Sequence, residues 1–478
     1  MAPSPSDSAP AEHPIQDGRP SAALPFREKL AVGIGGMPVF FGQLGVKNMA
    51  VSVYQMMLGV NPGLLGIVLA IPRLADAFLD PLVGKLSDNC RLRVGRRRPF
   101  IAAGAVALAL TYGSIWMVSP AWSEAGKLVY LLGTSLLFYV CFAFFSVPYQ
   151  SLTLEMSPDY DERTSVMGHY AFWYKAAELF YQWIFPLSQI AFFVSPIVGV
   201  RSANWGVAAL VFGVAGMVPA WLGRERYFER ASHQAKVRFV PALREALRDR
   251  AMTFLIAMTL MKVIANMIGS SMDYYLLVYY LCDGDIARGS YMKGILSSAY
   301  AVVGFASIPV LSWLCHKIGK RGALIEVYVL VVFAGIGKWF LFTPGIGWWL
   351  LIDPLLSGPI LVAIGMVIPS MLADVCDRDE LRHGQRREGM FGALFLWVQK
   401  AGIALAFLVT GLALNLVGFD SKLGGHQSAA TFFWMRFLLA GATVVTALAA
   451  LVFAWRYPIG RREAEETRRL LELRRGAV

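Results

Sequence analysis

The chain has 478 residues, of which 56% are hydrophobic and only 16% charged, where soluble domains carry roughly 25% charged residues. That balance excludes a soluble globule, a disordered chain and a collagen-like fibre. Five cysteines without a CxxC pair exclude a disulfide framework, and the formal net charge of +12 raises the question of where the basic residues sit.

The first 28 residues are rich in Ala, Pro and Ser, which predicts a disordered tail over 1–28. No apolar stretch with a cleavage site follows a basic start, so a secretory signal is not expected. A spanning helix needs about 20 mostly apolar residues, and about 12 segments meet that rule. They lie at 30–58, 63–86, 99–119, 128–153, 165–198, 204–223, 251–281, 290–314, 321–342, 348–372, 389–417 and 430–455. The expected fold class is an all-α membrane protein with about 12 transmembrane helices in two six-helix halves. The halves are 29–223 and 251–455, joined by a basic linker over 224–250 and followed by a basic tail over 456–478.

The basic residues sort by side. One set of loops holds Arg91, Arg93, Arg96, Arg97 and Arg98, the linker, Lys317, Lys320 and Arg321, the stretch Arg378 to Arg387, and the tail. The alternate loops hold only Lys127, Arg201, Arg288, Lys293 and Lys422. This is the positive-inside pattern, which predicts cytoplasmic termini and a multi-pass protein of the cytoplasmic (inner) membrane. The charge is then a topology signal, and with no reader motif beside it nucleic acid is not an expected partner. In the linker, VRFVPALREALRDR is either an amphipathic surface helix or a solvated connection. The tail RREAEETRRLLELRRGAV predicts a mixed-charge, solvated helix.

The halves repeat weakly. PYQSLTLEMSPDYDERTSVMGHYAFWYKAAE follows the fourth span and PSMLADVCDRDELRHGQRREGMFGALFLWVQKAG the tenth. Each carries a proline, an acidic cluster, an arginine and then a helix with one lysine, Lys175 or Lys400. Repeated halves are a transporter architecture with a midplane site.

Charge at bilayer depth costs at least about 2.5–3.5 kcal/mol, so ionisable residues there should face the interior with partners. In the second span Asp76 and Asp80 are four apart and share a helical face, with Arg73 one turn before them. Two carboxylates so close need a counter-charge, which a bound cation or a proton supplies. The alternative is a structural Arg73–Asp76 pair with Asp80 at a helix end. Lys400 lies about 18 Å into the eleventh span at 1.5 Å per residue, too deep to snorkel. It either bridges to Asp76 or Asp80 across the halves, donates to a substrate, or forms a fixed pair. Lys175 and Glu178, three apart, can neutralise each other. Lys47 and Asp273 occupy equivalent helices of the two halves and suit a gating ion pair. Tyr149, Trp173, Tyr174, Tyr274, Tyr275 and Trp397 offer faces for a sugar ring, with Asn48, Ser146, Gln150 and Gln399 to bond its hydroxyls. Interfacial belts of Trp and Tyr are the competing explanation.

No P-loop, GxSxG or HExxH pattern occurs, and six histidines lack metal spacing. The expectation is therefore no enzyme and no cofactor beyond a coupling ion, Na⁺ or H⁺.

At DPLVGKLSDNCRLRVGRRRPF, and again from ADVCDRDELRHGQRREG to WVQKAG, the chain resembles the melibiose-permease-like glycoside–pentoside–hexuronide:cation symporter family of the major facilitator superfamily. The resemblance implies a coupling-cation site at Asp76 and Asp80 and a lysine near the sugar and cation sites at Lys400. It implies a cytoplasmic gate loop with Asp374, Asp377, Glu380, Arg386 and Glu388, met by Arg163 of the other half. The family's sugar-binding aspartate of the first helix has no counterpart in MPVFFGQLGVKN, Ser146 replaces a fourth-helix aspartate, and a fifth-helix arginine is lost near Tyr170 or Ala171.

The expected function is secondary active transport, a cation-coupled symport of a sugar or glycoside by alternating access. Ion pairs between Arg91–Arg98, Arg163 and the 374–388 loop would hold the outward-facing state. The expected partners are a small-molecule substrate and the lipid bilayer, with the chain a monomer. Rival readings are a lysolipid or other amphiphile transporter, a transport-inactive sensor or scaffold, and an uncoupled facilitator.

Overall fold

The computed structural model describes residues 24–90, 92, 95–156, 160–223, 248–383 and 388–474, nearly all of them helical. The helices are α1 (Phe26–Met57), α2 (Pro62–Asn89), α3 (Arg98–Ile115), α4 (Glu124–Glu155), α5 (Tyr160–Ser188) and α6 (Pro196–Leu222), then α7 (Arg250–Leu281), α8 (Ile286–Leu341), α9 (Ile352–His383), α10 (Glu388–Leu416), α11 (Ala429–Trp455) and α12 (Arg461–Arg474). Ten helical stretches among the described residues are long and apolar enough to cross a bilayer. α8 counts once among them although its 56 residues would reach about 84 Å at 1.5 Å per residue, against a hydrocarbon core of about 30 Å. It is broken at Gly319, where φ is 79° and ψ 164°, a conformation open essentially to glycine alone. The break falls in the short basic stretch expected between two spans. α5 is long enough, but Lys175, Glu178 and its tyrosines dilute its apolarity. The molecule thus has ten to twelve candidate spans in an all-helical fold.

Side-chain caps start six of the helices. Asn61 precedes Pro62 and accepts from the amides of Gly63 (2.9 Å) and Leu64 (3.1 Å). Asp249 caps α7 through the amides of Ala251 (2.8 Å) and Met252 (3.1 Å). Ser123, Ser195, Asp285 and Ser428 do the same for α4, α6, α8 and α11. Such caps satisfy amides that have no partner within the helix. α1 is interrupted by π-helical turns at Phe41–Gly45 and Val51–Met57, so Lys47 sits between two widened turns, a geometry frequent at functional sites.

The first six helices and the next five form two bundles. α2 packs on α10, α5 on α8, and α1 reaches α7, joining the bundles. Their cores interpenetrate on one side only. Val263, Met267, Ala406 and Phe407 complete the core of the first bundle, while Val51 and Met56 complete a cluster of the second. Val51 and Met56 lie toward the face where the loops after α1, α7 and α10 meet: Asn61 accepts from Asn415 at 2.9 Å, and a side chain on Gly284 would strike Gly425. The opposite face carries the basic residues Arg96–Arg98, Lys317–Arg321 and Arg461–Arg474.

Several expectations are corrected. The helix begins at Phe26, so the tail boundary at 28 moves back: Pro25 precedes the first turn, and Leu24 and Glu28 are buried. The fifth span ends at Ser188, and the sixth begins at Pro196, where Ser195 caps it. Asp374, Asp377 and Glu380 are on α9, which runs on to His383, and not in a loop. The tail helix is docked: Tyr457, Ile459 and Leu471 are buried, Arg461 donates to the His316 carbonyl (2.8 Å), and α12 packs on α9. The amphipathic segment of the linker lies outside the described residues.

Candidate functional site

Asp76 and Asp80 stand one turn apart on α2, and α10 brings Lys400 to both. Its Nζ lies 2.5 Å from Asp80 Oδ2 and 2.9 Å from Asp76 Oδ2. Arg73 Nη1 reaches the same Asp76 oxygen at 3.0 Å, and its guanidinium lies over the Tyr139 ring at 5.6 Å. The two acids and two bases balance, and Lys400 is the only one of the four from the second bundle. The alternatives left open by sequence are thus joined: Arg73–Asp76 is a pair within α2, and Lys400 is the bridge between halves.

Exposure is graded along this cluster. Asp76 is 0% and Arg73 2% exposed, Lys400 15%, and Asp80 32%. Asp80 is the residue nearer the basic face, so the site opens that way. Among the described residues, one oxygen of each carboxylate, Asp76 Oδ1 and Asp80 Oδ1, is buried without a hydrogen-bond partner, as is Arg73 Nε. Buried polar atoms are nearly always paired, so two orphaned anionic oxygens mark a place for a cation, a proton or water. No group of three or more acidic, His or Cys side chains suited to a metal occurs among the described residues. Two carboxylates already countered by two bases suit a singly charged ion better than a tightly held divalent metal.

The other predicted site residues separate into groups. Trp397, one turn before Lys400, meets Phe78 of α2 edge to face at 6.5 Å, across the seam. Gln399 is part-buried beside it. On α5, Tyr174 donates to Gln43 Oε1 (3.0 Å), Trp173 packs on Phe172, and Lys175 pairs with Glu178 at 2.6 Å. That pair is about 40% exposed on both partners, so it offers polar contacts and little stability. Tyr149 is fully buried and donates to the Val32 carbonyl at 2.6 Å, a bond that ties α4 to α1 inside one bundle and turns its hydroxyl away from a substrate. Ser146 is buried on α4 and Gln150 part-buried.

The gate expectations are revised. Asp273 does not meet Lys47. Lys293 takes it, with both carboxylate oxygens at 2.7 Å, because Lys293 belongs to the first turns of α8 rather than to a loop. Lys47 instead crosses the seam to Ser271 Oγ at 3.2 Å. Asp374 pairs with Lys320 of its own half at 2.7 Å, and Arg98 donates to the carbonyls of Ala220 (2.6 Å) and Trp221 (3.0 Å), also within its half. Asp377 and Glu380 lie on the same face of α9's last turns. Arg386 and the side chains of Arg163 and Glu388 lie outside the described residues, as do Arg91 and Arg93.

Sequence reasoning missed the far-side polar seam: Gln55 with Tyr275, Ser52 with Tyr274 (3.2 Å), and Trp183 with Ser298 (3.1 Å). It also missed Asp353, which is fully buried, 2.7 Å from Lys338 and bonded by Tyr300 (2.5 Å) and Ser357 (3.0 Å). Lys338, a lysine within an apolar stretch, was the available signal, since a buried lysine demands an acid nearby.

Two bundles joined across a polar seam, with a charge cluster spanning them, define a multi-pass membrane transporter. The chain belongs to the MFS/sugar transport protein family, whose model matches residues 31–461. It is 24% identical to the putative glycoside/cation symporter YagG of Escherichia coli, over 84% of this chain and 85% of that one. It is 24% identical to the sodium-dependent lysophosphatidylcholine symporter 1 of mouse, over 96% of this chain and 91% of that one. The nucleoside transporter NupG shares the fold with a TM-score of 0.63 at 13% identity, over 89% and 99% of the two chains. The relatives are transporters, not enzymes, and sugar transport is the family's activity.

Proposed function

We propose that the protein is a cation-coupled symporter of a sugar or glycoside in the cytoplasmic membrane, with 12 spans and cytoplasmic termini. The observation that carries this is the Asp76–Asp80–Lys400 cluster, with one orphaned oxygen on each carboxylate. Lys400 is a tethered cation in the coupling site. A Na⁺ or H⁺ arriving at Asp80 displaces it, and the freed ammonium turns to the substrate's hydroxyls beside Trp397. Binding of ion and substrate then exchanges one inter-half contact for others, which makes the rocking of the halves depend on both. With the basic face cytoplasmic, the sealed far side and the part-exposed Asp80 correspond to an inward-facing state.

Uptake into proteoliposomes tests this. A labelled glycoside panel should accumulate under an inward Na⁺ or proton gradient, and Asp76→Asn and Asp80→Asn should each abolish accumulation. Equal accumulation by Asp80→Asn would remove Asp80 from the coupling site, and uptake that only equilibrates, whatever the ion gradient, would reduce the protein to an uncoupled facilitator. If no glycoside moves and a lysolipid does, the amphiphile reading replaces it, in keeping with the mouse relative's name.

A further inference from the structure

A cleft of about 30 Å³ lies in the far half of the seam, between α1, α2, α7 and α10. Lys47, Gln55, Ser271, Tyr275, Phe407 and Thr410 line it. The volume admits two or three waters at about 10–15 Å³ each. Its chemistry is one-sided. Lys47 is 5% exposed and makes no ion pair among the described residues: its ammonium touches the Ser271 hydroxyl at 3.2 Å and Met267 Sδ at 4.0 Å, and it lies 5.6 Å from the centre of the Phe407 ring. Gln55 is 1% exposed, its Oε1 already accepts from Tyr275, and its Nε2 has no partner. Thr410 donates to the Ala406 carbonyl. What remains unspent in the cleft is a full positive charge and an amide donor.

The surroundings reinforce that sign. The nearest acid, Asp273, is held by Lys293, and Asp353 is held by Lys338. Counting Lys47, Lys293 and Lys338 against Asp273 and Asp353 gives 3 − 2 = +1. The coupling cluster, with Arg73 and Lys400 against Asp76 and Asp80, gives 2 − 2 = 0. Further along α7, Lys262 makes no hydrogen bond or ion pair among the described residues, and its electrostatic neighbour across the seam is another lysine, Lys175. A buried charge without a counter-charge is costly, and in a largely apolar cleft the unspent ammonium and amide complement an acceptor.

We propose that Lys47 and the Gln55 amide form an oxyanion subsite, so that the transported molecule carries a carboxylate or phosphate that Lys47 neutralises. It rests on the transporter reading for the role of the bound molecule and adds the charge of that molecule. The Lys47–Ser271 contact is then the closed form of the subsite. When the far side opens, the two helices part and the ammonium meets the incoming anion in place of the hydroxyl. A neutral glycoside lacks the group this subsite is built to hold.

Equilibrium binding by the full chain in phosphatidylcholine nanodiscs, at zero gradient, tests the proposal. Two matched pairs serve as probes: methyl β-D-glucopyranosiduronate against methyl β-D-glucopyranoside, and lysophosphatidate against monoacylglycerol. In at least one pair the anion should bind tenfold or more tighter than its neutral partner, and which pair does so identifies a sugar acid or a phospholipid source. Lys47→Gln should bring that ratio to near one and Lys47→Arg should keep it. Gln55→Glu, which retains an acceptor for Tyr275 but places an acid in the cleft that Lys47 lines, should also erase it. Ratios within twofold in both pairs, or a ratio untouched by Lys47→Gln and Gln55→Glu, overturn the proposal. Lys47-dependent anion binding by a protein that shows no gradient-driven accumulation would sink the symport reading alone. Coupled uptake of neutral glycosides without charge preference would sink this one alone.

Discussion

Replacing Lys400 by Gln strands two carboxylates with Arg73 as their single counter-charge. Asp76 is 0% exposed and loses a contact at 2.9 Å. Breaking a buried pair by deleting one partner costs about 3–5 kcal/mol. The Asp80 limb, 32% exposed, is partly screened, so the lower end of that range applies, about 3 kcal/mol. If Lys400 occupies the coupling site as a tethered cation, a free cation should restore what the substitution removes. A ligand at a hundred times its Kd stabilises by about 2.7 kcal/mol, enough to recover nearly all of the loss. Thermal unfolding in nanodiscs would be followed for wild type, Lys400→Gln, Asp80→Asn and the double variant, titrated with NaCl against choline chloride and then with acid. Lys400→Gln should melt lower than wild type at neutral pH in choline, and should gain more than wild type from Na⁺ or from protons. The double variant should lie above the sum of the single losses, because removing both partners leaves no stranded charge. Additive losses, with no greater response to either cation than in wild type, would refute the displacement argument.

Two further outcomes follow from packing and from the second charge network. A Cβ on Gly66 would lie 2.6 Å from the Phe407 carbonyl oxygen and one on Gly411 2.4 Å from that of Pro62. Gly66→Val and Gly411→Val should therefore prise α2 from α10 and raise far-side accessibility, read as faster thiol labelling of a cysteine placed at Asn61; unchanged labelling would show the seam already open. Lys338→Met should cost about 3–5 kcal/mol by exposing Asp353 to an uncompensated interior, and Lys338→Met with Asp353→Leu should recover most of it. Chemical denaturation measures both, and a double variant no better than the single one would mean that the pair is not the stabilising unit.

Much of the plan was readable from the chain. Apolar length, the sorting of basic residues, and the repeat around Lys175 and Lys400 point to two membrane bundles, because the bilayer imposes length and sidedness on sequence directly. The i, i+4 spacing of Asp76 and Asp80 places both on one face with no tertiary information at all. Lys400 was legible as a charge too deep to snorkel, with a bridge to Asp76 or Asp80, donation to a substrate and a fixed pair all open to it. The family resemblance named the same three residues.

What only the tertiary structure decided is which charge meets which across the seam. Lys47 and Asp273 are equivalent by repeat, yet a turn of α8 puts Lys293 on Asp273 and leaves Lys47 facing Ser271 and the unspent Gln55 amide. Tyr149, whose ring the sequence offers as a sugar contact, is buried with its hydroxyl bonded to the Val32 carbonyl, and the charged tail helix, exposed along most of its length, is anchored on α9 through Leu471. Periodicity reports the face of one helix against its own axis. Partner choice depends on the rotation and height of two helices relative to each other, and in a membrane bundle these are set by close approaches such as Gly66 and Gly411 that small residues permit and hydropathy does not record.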